Sequence, residues 1–264
     1  MNIFLYAIIF IMGTVFGSFY TLAVYRIPKN IDIIKKHSYC PNCNHKLGFW
    51  ELIPILSYIL LGGKCKHCKQ KIRIRYLILE LLGGISFVIL ALALKIDVFT
   101  LNIQTIITYV FIILYLTAII LISGIDKEYR KIDKRVLAYG IIISIVYMIY
   151  LYTIGITSIY RYAIYLAIYV VLLSVDTFIL RRYAKDSYIN NILILLNIIL
   201  VFTEEKMLGI TLIMALIAIL VYIAIRKITQ KKTGYKPITI NEIPLGYFIG
   251  ASNIIIIFME ALQI

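Results

Sequence analysis

Residues 103–125 read IQTIITYVFIILYLTAIILISGI, 23 positions without a charge, and Asp126 follows at once. A bilayer core takes about 20 helical residues to cross, so this run predicts a transmembrane helix. Working outward, comparably apolar stretches recur at 3–24, 76–96, 136–156, 164–180, 188–202, 208–225 and 243–262. The chain has 264 residues, 62% of them hydrophobic and only 15% charged, which excludes a soluble domain. The expected fold is an all-α, polytopic membrane helical bundle of about eight transmembrane helices. The stretch 188–202 is the shortest and carries Asn190, Asn191 and Asn197. The first stretch has no charged segment before it and no small-residue cleavage site, so it reads as an anchor rather than a removable signal.

Orientation follows from the basic residues. Of 27 Lys and Arg, 24 fall in the segments 26–75, 126–135, 181–185 and 226–236, while Lys95, Arg161 and Lys206 lie in the opposite connections. Positive loops stay inside, so the N-terminus is expected outside and the large polar loops in the cytoplasm. The net charge of +14 is then first an orientation signal. No base-reading helix or aromatic platform accompanies it, so nucleic acid is not an expected partner.

The loop 26–75 holds all four cysteines, Cys40, Cys43, Cys65 and Cys68, and all three histidines, His37, His45 and His67. Two C-x-x-C knuckles match a four-thiolate zinc site. Two disulfides or four free thiols are the alternative, and disulfides are rare in a reducing cytoplasm. About 50 residues cannot build a large core, which favours a metal staple. Between the knuckles, 49–61 is apolar but too short to span. It predicts an interfacial helix started near Pro54, with Trp50 at headgroup depth. The expected division is 1–25 as first transmembrane helix, 26–75 as zinc-binding subdomain and 76–264 as a seven-span membrane domain.

Ionisable groups in or at the edge of membrane helices are costly and mark function. Glu51, Glu80, Asp126, Asp133, Asp176 and Asp186 are the carboxylates to weigh. Asp126 ends one span and Asp186 precedes another, so two acids from separate spans reach one membrane face. Such a pair can share a proton, one carboxylate activating water while the other protonates the carbonyl oxygen or leaving group. Asp176 competes for the second role, and Glu80 is read as snorkelling or pairing with Arg75. Gly13 with Gly17, and Gly246 with Gly250, are G-x-x-x-G pairs suited to close helix packing.

With these residues assembled, the chain resembles the bacterial prepilin peptidase family, also called type IV leader peptidases. Gly17-Ser18-Phe19, Tyr25-Arg26-Ile27-Pro28, Ser38-Tyr39-Cys40-Pro41-Asn42-Cys43, Ile53-Pro54-Ile55-Leu56-Ser57-Tyr58, Gly63-Lys64-Cys65-Lys66-His67-Cys68 and the run from Ile72 to Glu80 follow that family's blocks in order. Ile243-Pro244-Leu245-Gly246 resembles its closing block. The resemblance implies a membrane aspartic endopeptidase that cleaves the basic leader of prepilin or pseudopilin precursors at the bilayer face. It also implies methylation of the new N-terminus from S-adenosylmethionine, with the zinc-bearing part associated with that second reaction. It makes Asp126 the first catalytic aspartate and Asp186 the second. Departures are local: Asp133 and Lys134 replace the Pro and Asp of the first block, Tyr183 and Lys185 the glycines of the second, and Tyr188 the lysine two residues after its aspartate. A degenerate relative, a membrane scaffold or metal sensor, and a proton-coupled transporter are the rival expectations.

Overall fold

The computed structural model describes residues 2–99, 102–156, 159–180, 188–233 and 242–262. Apolar composition with few breakers makes helices almost everywhere: α1 (Asn2–Arg26), α2 (Leu56–Leu60), α3 (Arg75–Ala93), α4 (Ile103–Tyr129), α5 (Lys134–Thr153), α6 (Ile159–Ser174), α7 (Tyr188–Phe202), α8 (Glu205–Thr233) and α9 (Leu245–Ala261). Among the described residues there is no strand, only the isolated bridges Tyr39 to Lys46 and Lys64 to Lys71. Among the described residues six helices are long and apolar enough to cross a membrane, and Tyr188–Phe202 and Leu245–Ala261 are shorter apolar helices. The protein is a multi-pass membrane protein. Its chain divides into two compact units, residues 1–109 with 261–264 and residues 110–260.

In the first unit α1 lies along α3. Glycine makes the approach possible: a Cβ on Gly13 would strike the Gly83 carbonyl, and one on Gly17 would lie 2.5 Å from the Leu79 oxygen. At the end of α1 the buried Arg26 donates from Nη1 to the carbonyls of Asp32, Ile33 and Lys36 and from Nη2 to that of His37. Arg26 thereby moors the start of the polar loop.

The stretch 49–61 departs from the expected single helix. A short 3-10 turn, Phe49–Glu51, and the five-residue α2 flank a break at Pro54 and Ile55. Ile55 has φ 63° and ψ −55°, and Leu56 N–H bonds back to the Pro54 carbonyl at 2.6 Å, which is a strained γ-turn. A β-branched residue adopts positive φ only when its surroundings impose it. Here the Ile55 N–H donates to Glu80 Oε2 on α3 at 2.7 Å. Glu80 is therefore tied to the loop backbone.

In the second unit α7 packs against α5, α6 and α8. It is the most enclosed helix, and that explains its asparagines. Asn190 donates to the Leu172 carbonyl at 3.0 Å and Asn197 to the Tyr165 carbonyl at 3.1 Å, both on α6. Away from lipid, such amides serve as interhelical bonds rather than penalties. After Ser174 the backbone widens into a π-helical turn, Val175–Leu180, which holds Asp176.

Candidate functional site

Two places concentrate chemistry, one in each unit. The first is the cysteine cluster, whose two knuckles share one hydrogen-bond plan at an offset of 25 residues. Cys40 N–H bonds to the His45 carbonyl and Cys65 N–H to that of Gln70, both at 2.9 Å. Asn44 and Lys69 return N–H groups to the Cys40 and Cys65 carbonyls and take positive φ, 55° and 57°. Leu47 to Ser38 and Ile72 to Gly63 close each loop. This local duplication is hidden in the sequence by unlike side chains between the cysteines.

The loops bring Cys40, Cys43, Cys65 and Cys68 together, with all four sulfurs within 4.8 Å of one another. Cys40 to Cys68 is 3.8 Å and Cys43 to Cys65 is 3.9 Å, far beyond a disulfide bond. Metal–sulfur bonds of about 2.3 Å in a tetrahedron put sulfurs about 3.8 Å apart. The four residues thus fit a metal such as zinc. Without a cation the four thiols do not ionise alike. The Gln70 N–H and the Asn42 amide hold the Cys68 thiol down at about 6. Cys43 is pushed up to about 11: the His45 N–H favours its thiolate, but desolvation and the neighbouring sulfurs outweigh it. Four thiolates this close need a cation among them. Beside the cluster the His45 and His67 rings lie 3.5 Å apart, and His45 Nε2 is 3.4 Å from Glu51 Oε2. Gly48 N–H holds the Glu51 carboxyl below its ordinary range.

The second place is Asp126, in the last turn of α4 and fully buried. Tyr188, opening α7, donates its hydroxyl to both carboxylate oxygens, 3.0 Å from Oδ1 and 2.9 Å from Oδ2. The Tyr247 N–H adds a bond to Oδ2 at 3.0 Å. Tyr188 in turn accepts from the Leu245 N–H at 2.9 Å and more weakly from Gly246 N–H at 3.5 Å. The carboxylate therefore faces the first turn of α9, where backbone donors and the helix dipole favour negative charge. Gly246 leaves the room: a Cβ there would come 3.1 Å from Asp126 Oδ2. The chain turns away through Arg130, at φ 54°, whose N–H bonds to the Asp126 carbonyl.

Of the other acids, Asp176 accepts from Lys134 Nζ at 2.8 Å. Asp133 caps α5, accepting from the Arg135 N–H and from its guanidinium. Asp186 lies outside the described residues. Tyr188 and the Leu245–Tyr247 amides were not among the expected site residues. The signal available for them was a hydroxyl standing where the family motif has a lysine, and a glycine opening the last helix.

Comparison with known proteins points one way. Residues 11–94 match the family model described as Bacterial Peptidase A24 N-terminal domain. The chain is 40% identical over 97 residues to the prepilin leader peptidase/N-methyltransferase of Vibrio cholerae, 33% of this chain and 37% of that one. It is 38% identical over 79 residues to the protein of that name from Myxococcus xanthus, 30% and 24%. It is 35% identical over 133 residues to the one from Bacillus subtilis, 50% of each. The matches thus span between about a quarter and a half of these relatives' own lengths. No solved structure matches the chain.

Proposed function

We propose, from the premise that this chain belongs to the bacterial prepilin leader peptidase/N-methyltransferase family, that it is a membrane-embedded aspartic endopeptidase. Its substrates are the precursors of type IV prepilin-like proteins, cut between leader and apolar segment at the cytoplasmic face of a bacterial plasma membrane. The observation that carries this reading is Asp126. It is a fully buried acid at the end of an apolar helix, held by the neutral donors Tyr188 and Tyr247. A buried carboxylate placed so is a candidate for proton transfer.

Asp186 is proposed as its partner. In sequence it stands two residues before Tyr188, whose hydroxyl touches Asp126. One carboxylate takes a proton from water as the water oxygen attacks the scissile carbonyl carbon. The other, protonated, gives its proton to the carbonyl oxygen. Breaking the C–N bond then returns a proton to the leaving amine. A pilin precursor's apolar segment can lie in the bilayer, which presents the junction at the level of Asp126. Eight crossings with both termini outside put that level on the inner face, where 24 of 27 basic residues would lie.

In this reading residues 26–75 form a cytoplasmic subdomain stapled by one structural zinc on Cys40, Cys43, Cys65 and Cys68. The second activity, methylation of the new N-terminal amine from S-adenosylmethionine, rests on the relatives' name, and no residue here is assigned to it. A second reading, a degenerate relative that keeps fold and metal, is favoured by the altered blocks around Lys134 and Lys185. Cleavage of a prepilin by the purified protein in lipid separates the two. Asp126→Asn and Asp186→Asn should each lower the rate by at least about 1,000-fold, with the double variant no worse than either, as expected for one catalytic unit. An unmodified protein inert toward every prepilin offered would leave the degenerate reading.

A further inference from the structure

Tyr188 occupies the place of a motif lysine and touches the acid directly. Resting on the peptidase reading, we propose that Tyr188 is a positioning residue that holds the Asp126 carboxyl in its catalytic orientation.

The hydrogen-bond inventory sets this assignment. A phenol has one proton to give and lone pairs to receive. The Leu245 N–H, at 2.9 Å, and the Gly246 N–H, at 3.5 Å, point at the Tyr188 oxygen, so its lone pairs face α9. Its single proton is left for Asp126, whose two oxygens lie 3.0 and 2.9 Å away and share it. The Tyr247 N–H supplies Oδ2 a second donor at 3.0 Å. Donors from α7 and α9 thus fix the plane of the Asp126 carboxyl. Lysine at position 188 could donate to Asp126 but could not accept from the α9 amides. Tyrosine gives up the positive charge and gains a joint: one hydroxyl ties the start of α7, the end of α4 and the start of α9.

The test uses the full chain in lipid with a prepilin substrate. Tyr188→Phe removes only the hydroxyl, and kcat should fall about 10- to 100-fold, the range for losing a hydrogen bond to a charged group. KM should stay within about twofold. Tyr188→Lys, which restores a donor, should recover part of kcat. A Phe variant with unchanged kcat, or one altered in KM alone, would overturn the proposal. Thermal unfolding of Tyr188→Phe, Asp126→Asn and the double variant supplies a readout free of activity. Non-additive losses are expected, and additive losses would overturn the joint. If the unmodified protein cleaves nothing while the thermal losses are non-additive, the peptidase reading fails and the joint stands.

Discussion

Lys134 Nζ lies 2.8 Å from Asp176 Oδ2, joining the first residue of α5 to the π-helical turn after α6. Lys134, at a position where the resemblance implies an aspartate, is matched by an acid 42 residues on. The Asp176 side chain is only 10% exposed, and a carboxylate so enclosed needs a partner. That commitment speaks against Asp176 as the second acid of a catalytic pair. Lys134→Met should destabilise the protein by about 1 kcal/mol, modest because the lysine is half exposed. Asp176→Asn should keep cleavage within about threefold of the unmodified protein. A dead Asp176→Asn beside an active Asp186→Asn would move the acid role into the π turn.

The sulfur tetrahedron predicts one zinc per chain by elemental analysis. Cys40→Ser should lose it, because three thiolates and a hydroxyl bind zinc far more weakly than four thiolates. With zinc bound, the four thiols should resist alkylation under native conditions. Methylation should suffer more than cleavage if the cluster serves the second reaction. Metal content near zero with four freely alkylated thiols would end the zinc assignment.

Much of this molecule is legible in its sequence because the signals are long or repeated. A run such as 103–125 can hardly be anything but a membrane helix, and two C-x-x-C knuckles name their own partners. Asp126 stood out as an acid at the end of such a run. What could not be read depends on tertiary pairing. Tyr188 and Asp126 are 62 residues apart, and only the fold shows that the hydroxyl of one donates to the carboxylate of the other. Ile55 opposes its own backbone preference, and the reason, Glu80, lies 25 residues later on α3. The asparagines of α7 interrupt an apolar stretch, and their partners on α6 come near only in the fold.

Asp133 predicts an acid-side loss of stability. Burial favours its neutral form, but the Arg135 guanidinium and N–H outweigh that and hold the carboxyl below the ordinary 3.8. A depressed folded value means the stabilisation is complete above the ordinary value and disappears as pH falls through the folded one. Asp133→Asn keeps a capping acceptor but loses the charge. At neutral pH it should be less stable by under about 1 kcal/mol, since Arg135 is largely solvent-exposed. The gap in melting temperature should narrow as pH is lowered past 3.8 and close once Asp133 is protonated in the folded state. A gap that does not narrow on acidification would show that the charge contributes nothing.

Two glycines four residues apart on α9 should fail differently. A Cβ on Gly250 would collide with Ser123 Oγ and come 3.1 Å from Ile119 Cγ2 on α4, so Gly250→Ala must push the helices apart. Its expected cost is stability, about 1–3 kcal/mol for an overpacked contact. A Cβ on Gly246 would meet the Asp126 carboxylate, 3.1 Å from Oδ2 and 3.4 Å from Cγ, with Ile132 Cδ1 at 3.5 Å behind it. Those distances ask for a shift of a few tenths of an ångström, absorbed by turning the carboxylate away from Tyr188 and Tyr247. Gly246→Ala should therefore keep most of its melting temperature and lose cleavage, about 10-fold or more, because a misaimed acid costs rate rather than fold. Melting temperature and cleavage rate measured on both variants decide it. Equal losses of both quantities in the two variants would reduce Gly246 to a packing residue.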